Sequence, residues 1–261
     1  MVTGVLPLAL EEATKTIQSF LLTGKEYTCV MTLHGDVDLA RLLAVLEEFV
    51  GDLFQRPPVR AAVKRDLRRR RIYYIRDVEA DGREVLFRVG CQAGTYIRKL
   101  VYDIGEVLQV GAHMRELRRT RAGSFTEADA SSLYDVLELS QSTGDEKEVM
   151  ARRVVKPMES AFDYVPRVYM RDSAVNSICH GADLAIPGIV RFNNGILPRM
   201  PIALFTLKEE LVALSRALMS SEQMLKEEHG MAAKTVRVIM AADTYPRMWK
   251  TKSTPTVQVP S

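Results

Sequence analysis

Gly94-Thr95-Tyr96-Ile97-Arg98-Lys99-Leu100-Val101-Tyr102-Asp103-Ile104-Gly105-Glu106-Val107-Leu108 is the stretch on which the fold reading turns. Ile97, Leu100, Val101, Ile104, Val107 and Leu108 recur at helical spacing on one apolar face, so an amphipathic helix is expected. With Thr95 as N-cap, Arg98 falls at the third helical position, where the dipole disfavours a cation. A cation held there points to a fixed anionic partner, carboxylate or phosphate, or else simply to solvent. Strands are expected on both sides of this helix. Tyr27 to Leu33 alternates in β-rich residues and closes at His34-Gly35. Ile72 to Val78 and Val85 to Cys91 read as partners around Asp81-Gly82, and a polar strand runs from Met114 to Arg121. Asp38 can cap a helix to about Val50 through Leu39, Leu42, Leu43 and Leu46, and Leu6 to Leu21 reads as a further amphipathic helix. Helices interspersed with such strands predict an α+β fold built on a mixed sheet.

The chain has 261 residues, 47% of them hydrophobic and 26% charged, which excludes collagen-like and wholly disordered classes. At roughly 150 residues per domain it holds one large domain or two smaller ones. Around Pro166 the pattern changes to short apolar strands, turn glycines (Gly181, Gly188, Gly195) and one helix-like stretch, so a small second domain is expected to about Trp249. Gln141 to Lys147 reads as a surface loop, and Thr251 to Ser261 as a disordered tail. No apolar run reaches the ~18 residues of a membrane span. Val5-Leu-Pro-Leu-Ala-Leu10 lacks the basic start of a signal peptide, so a soluble intracellular chain is expected. Three scattered cysteines and four scattered histidines argue against a disulfide framework or a metal site.

Net charge is only +3, but Arg56, Arg60, Lys64, Arg65, Arg68, Arg69, Arg70 and Arg71 face a single acid, Asp66, in that interval. Such a run is either a solvated face or a surface for a polyanion. Tyr73 and Tyr74 beside it suit single-stranded or folded RNA. Tyr27, on its strand, is either a half-buried packing residue or a platform for a base.

Gly24-Lys25-Glu26-Tyr27, Arg56-Pro57-Pro58 with Ala61 to Lys64, Gly94-Thr95-Tyr96-Ile97-Arg98 and Leu117-Arg118-Arg119 occur in an order that resembles the TruB-type pseudouridine synthases. The run Gly111 to Arg121 is similar to the archaeal and eukaryotic, dyskerin-type branch, the catalytic subunits of H/ACA ribonucleoproteins. Arg171-Asp172-Ser173-Ala174, His180-Gly181-Ala182-Asp183-Leu184 and Pro187-Gly188 resemble the PUA domain of that branch. The resemblance implies a synthase domain over 1–163, lacking its N-terminal part, a PUA domain over 164–250 and a tail over 251–261. It implies isomerisation of uridine to pseudouridine in rRNA or tRNA, without cofactor or metal. Guide RNA, substrate RNA and other H/ACA core proteins would be partners. The site would lie in the cytoplasm if archaeal and the nucleolus if eukaryotic.

By the same resemblance Tyr27 stacks on the flipped base, Tyr96 and Leu117 wall the pocket, and Arg98 pairs with the catalytic aspartate. Arg60, Lys64, Arg65, Arg68, Arg69, Arg70, Arg71, Arg118 and Arg119 would meet RNA, and His180 and Gly181 would belong to the PUA surface for the ACA end of a guide RNA or a tRNA acceptor end. One departure stands out. The family motif Gly-Thr-Leu-Asp-Pro-x-Val-Thr-Gly is represented here only by its end, Val2-Thr3-Gly4, so its nucleophilic aspartate would lie ahead of Met1. The resemblance therefore leaves two expectations: a synthase whose start is assigned too far downstream, or a fragment that binds RNA without catalysis.

Overall fold

The strands fall where apolar side chains recur every second residue, and they assemble into two sheets. A computed structural model of the chain describes residues 2–57 and 64–247. Arg60, Ala61, Trp249 and the tail expected to be disordered lie outside the described residues. Contacts divide the chain into two units, Met1–Leu10 with Ile17–Pro157, and Glu11–Thr16 with Met158–Ser261.

The first unit contains β1 (Val2–Gly4), α1 (Ile17–Leu21), β2 (Lys25–Leu33), α2 (Leu39–Glu48), β3 (Gly51–Gln55), β4 (Arg68–Asp81), β5 (Glu84–Cys91), α3 (Ile97–Val107), β6 (Ala112–Ala122), β7 (Phe125–Thr126), α4 (Leu133–Gln141) and α5 (Gly144–Val154). Among the described residues the sheet is seven-stranded, in the order β1-β6-β2-β5-β4-β3 with β7 beside β6. β1 runs parallel to β6 and the other pairs are antiparallel, so the sheet is mixed. One face is apolar. Cys29, Met31 and Leu33 of β2 and Val85, Phe87 and Val89 of β5 form a core with Leu42 and Leu46 of α2 and Leu100, Val101 and Ile104 of α3. Asp38 caps α2 by accepting from the Ala40 and Arg41 amides. α3 reaches backbone contact with β6: a Cβ on Gly105 would stand 2.2 Å from the Ala112 nitrogen.

Three local expectations are corrected. Leu6 to Leu21 does not form one helix; residues 5–10 have no regular structure, Glu11–Thr16 is a 3-10 turn, and α1 covers only Ile17–Leu21. Leu6, Leu8 and Leu10 recur every second residue and are all exposed, and Pro7 lacks an amide for a helical bond. Thr95 is not the cap of α3. Tyr96 is, the Thr95 hydroxyl turns back to the Gln92 carbonyl, and Arg98 becomes the second helical residue. The loop expected over Gln141 to Lys147 shrinks to residues 142–143 between α4 and α5. Ser132 and Asp135 close a capping box on α4, and α5 carries Asp145 and Glu146 in its first turn with Arg152 and Arg153 in its last.

The second unit holds β8 (Arg167–Met170), α6 (Asp172–Cys179), β9 (Leu184–Ala185), β10 (Ile189–Phe192), β11 (Pro201–Phe205), β12 (Leu211–Ala217), α7 (Ser221–Lys226) and β13 (Met231–Val238). Its sheet order is β10-β8-β11-β12-β13-β9, with only the β8–β11 pair parallel among the described residues. Two α-helices stand where one helix-like stretch was expected, α7 opened by a Ser220–Gln223 capping box. Val168, Ile178, Leu204, Val212 and Ala232 lie in its core. The fold is α+β, a mixed-sheet domain followed by a small β-rich one. Among the described residues no helix is long and apolar enough to cross a membrane.

Candidate active site

Pairing register decides which candidates share a face, because directly opposed residues point the same way. Tyr27 lies opposite Val89 of β5 and Arg119 of β6, and Cys29 lies opposite Phe87 and Leu117. Tyr27, Leu117 and Arg119 therefore project from the face that α2 and α3 cover, with Leu117 buried and Tyr27 half-buried against the core. The register shifts between Glu26 and Tyr27, a bulge of the kind that re-aims a side chain.

Arg119, one of the residues expected on RNA, donates from Nε to the Val5 carbonyl at 2.6 Å, and its guanidinium meets the Tyr27 phenol. Burial, the larger influence, pushes the Tyr27 phenol up, and Arg119 opposes it, so Tyr27 remains a neutral hydroxyl near pH 7. Gly4 makes this approach feasible: its φ is +100°, and a Cβ there would fall 2.1 Å from the Arg119 carbonyl oxygen. Arg118, the preceding residue, points to the opposite face and pairs with Glu127.

Behind Tyr27, buried Glu26 accepts from the Tyr74 hydroxyl at 2.6 Å, the Thr120 hydroxyl at 2.8 Å and Arg76 at 3.0 Å. Burial alone would raise its pKa, but the Tyr74 and Thr120 hydrogen bonds outweigh that and hold the carboxyl below the ordinary glutamate range. Lys25 donates to the Leu21 and Thr23 carbonyls, both at 2.7 Å, and burial followed by Arg119 lowers its pKa. Glu26 and Lys25 thus fix the strand on the N-terminal side of the bulge. Neither role was read from the sequence, although both residues stand in the Gly24–Tyr27 motif.

Lys25 pairs with Cys91, so β2 begins at the end of the sheet where β5 gives way to residues 92–96 and α3. The Gln92 amide bonds the Arg71 carbonyl at 2.8 Å, and the Gln55 side chain grips both backbone polar groups of Tyr96. Tyr96 is half-buried. Arg98 is exposed, and among the described residues its side chain has no hydrogen bond or ion pair.

The basic run is divided by strand alternation. Arg68 and Arg70 lie on the face of buried Ile72; Arg69 and Arg71 point the other way. The Arg70 guanidinium covers Gly94, at 3.1 Å from where a Cβ would stand, whereas Arg69 pairs with Asp52 and Arg71 approaches it at 4.0 Å. Lys64 and Arg65 are exposed ahead of β4, with Arg65 donating to the Pro57 carbonyl. Strand alternation thus divides Arg68 to Arg71, all expected on RNA, between the two faces of β4. Replacing Arg68 and Arg70 with Gln should make the log–log salt dependence of RNA binding shallower by about 0.7 per lost phosphate contact, and more so than replacing the Asp52-engaged Arg69 and Arg71. A fluorescence-anisotropy salt titration reads this, and an unchanged slope in the fourfold variant would make the run a solvated face.

In the second unit His180 ends α6, with Nδ1 2.8 Å from the Asn176 carbonyl and Nε2 3.8 Å from Asp243. Gly181 follows at φ +88°. Buried Asn176 donates to Asp243 and to the Tyr245 carbonyl, tying this corner to the 243–245 turn. Among the described residues no group of three or more His, Cys, Asp or Glu side chains is placed to hold a metal.

Family models match most of the chain: the TruB family pseudouridylate synthase N-terminal domain over residues 1–97, the tRNA pseudouridylate synthase B C-terminal domain over 98–163, and the PUA domain over 166–239. A probable tRNA pseudouridine synthase B of Methanopyrus kandleri is 54% identical over 253 residues, covering 97% of this chain and 75% of the relative. A protein of the same description from Methanosarcina barkeri is 50% identical over 254 residues, with 96% and 75% covered. Among solved structures, a Cbf5-Nop10-Gar1 complex matches with TM-score 0.86 and 49% identity over 94% of this chain and 75% of the matched one. An H/ACA RNP bound to a substrate RNA containing 2'-deoxyuridine matches with TM-score 0.84 and 44% identity, covering 95% and 76%.

Fold and site together define an RNA-modifying isomerase with an appended PUA domain. The chain belongs to the TruB family of pseudouridine synthases.

Proposed function

We propose that this chain is the catalytic subunit of a guide-RNA-directed pseudouridine synthase acting on rRNA or tRNA. The observation that carries the proposal is the pairing of Tyr27, held neutral and aimed by the bulge and Arg119, with Arg98 beginning a helix at the same end of the sheet. In the reaction the bond between N1 of uracil and C1′ of ribose breaks, the base turns, and C5 bonds to C1′. The C5 proton is lost and N1 gains one, so substrate and product are isomers. The base must leave its stack for this to happen. Tyr27 stacks on it, while Tyr96 and Leu117 exclude water beside it. Arg98, whose side chain has no partner among the described residues, pairs with the family's nucleophilic aspartate and keeps it ionised.

Residues 1–163 form the synthase domain, 164–250 the PUA domain and 251–261 a tail. Lys64, Arg65, Arg68 and Arg70 line the RNA path, and His180 with Gly181 belongs to the surface for an RNA end. Proteins of the kind found in the matched complexes, Nop10 and Gar1, are its partners, and it works in the cytoplasm of an archaeal cell, as the identity to archaeal relatives supports. Changing the pairing arms of the guide RNA should move the pseudouridine to the newly selected uridine. Modification that stays at one uridine whatever the guide would contradict guide direction.

A further inference from the structure

We infer that Gln55 is a positioning residue for the isomerisation, acting through Tyr96 to fix where α3 begins and hence where Arg98 points. The inference rests on the role given to Arg98 above. Gln55 ends β3 and is 2% exposed, where an unpaired amide would be costly. Both of its polar atoms are committed to a single residue far along the chain. Nε2 donates to the Tyr96 carbonyl at 3.1 Å, and Oε1 accepts from the Tyr96 amide at 2.9 Å.

Tyr96 is the N-cap of α3, yet no side chain caps this helix in the usual way. The Tyr96 carbonyl also accepts the Leu100 amide at 3.0 Å, the bond that opens the helix. Gln55 therefore holds the carbonyl from which α3 starts. Elsewhere in the loop, the Thr95 amide and hydroxyl both turn to the Gln92 carbonyl, and the Gln92 amide to Arg71. These bonds anchor the loop's beginning; Gln55 anchors its end. Two residues further on, the Arg98 side chain makes no hydrogen bond or ion pair among the described residues, so the helix start determines its direction. Small displacements of a reacting group can cost on the order of a hundredfold in rate.

The test uses the enzyme assembled with guide and substrate RNA and carrying the family's motif aspartate. Gln55→Met keeps the volume and removes both hydrogen bonds; Gln55→Asn keeps the amide on an arm too short to reach, and serves if the first variant folds poorly. Each should lower kcat by roughly ten- to a hundredfold while KM for RNA changes by less than about twofold. Arg98→Lys should lower kcat by itself, and adding Gln55→Met to it should cost far less than Gln55→Met costs alone, because both act on one contact. A merely structural glutamine would raise KM along with the fall in kcat, and its effect would multiply with that of Arg98→Lys. Full turnover by Arg98→Lys would overturn the role of Arg98 and this inference with it. An impaired Arg98→Lys beside an unimpaired Gln55→Met, or multiplying effects, would overturn the inference alone.

Discussion

Arg98→Ala should reduce pseudouridine formation by the aspartate-bearing enzyme on the order of a thousandfold, the upper range for deleting one preorganised charge at a reacting centre. RNA affinity should stay within about twofold, since one exposed cation among many contributes little to phosphate binding at physiological salt. The argument runs through position. α3 presents Arg98 in its first turn, against the helix dipole, and the fold supplies no acid to pair with it among the described residues. A guanidinium so placed meets its anion only in the working site. Without it, the nucleophilic carboxylate would be desolvated by the bound base with no opposite charge nearby, and its pKa would rise. Single-turnover kinetics with a radiolabelled RNA check the size of the loss, and a loss confined to KM would remove Arg98 from the chemistry.

A polypeptide of these 261 residues alone should bind RNA and form no pseudouridine. None of its acids occupies the position of the motif aspartate, which by the resemblance stands three residues ahead of Val2. β1 is nevertheless in place, with Val2 opposite Leu117 and Gly4 opposite Arg119. Tyr27, Arg119 and the Gln55 clamp are likewise assembled. Removal of a nucleophile leaves positioning and binding while closing the covalent route. Joining to Val2 a segment that ends in Gly-Thr-Leu-Asp-Pro-x should restore turnover.

Periodicity made much of the fold legible. β2 and α3 alternate or repeat so plainly that Tyr27 to Leu33 and Ile97 to Val107 follow from apolar spacing alone. The failures also have physical causes. Arg68 to Arg71 shows no alternation of hydropathy, so nothing in its composition reveals that β4 starts there and sends adjacent arginines to opposite faces. Arg118 and Arg119 are chemically identical neighbours, and only pairing with β2 separates the one bound to Glu127 from the one bound to Val5 and beside Tyr27. Leu6, Leu8 and Leu10 recur at a period of two, which a helix over Leu6 to Leu21 cannot place on one face. Gln55 carries no local signal at all, because its partner is far off in the chain and joins it through backbone atoms. Thr95 looked like a cap for the same reason: the competing anchor at Tyr96 was invisible.

The most direct test is to quantify pseudouridine in a guide-matched target RNA, by carbodiimide derivatisation and mass spectrometry, after incubation with the 261-residue polypeptide and, in parallel, with the same polypeptide carrying the upstream aspartate-bearing segment. Equal RNA binding by both, with pseudouridine made only by the extended one and lost again in its Arg98→Ala variant, is the predicted result. Turnover by the 261 residues alone would contradict the account, because another residue would then be doing the work of the aspartate.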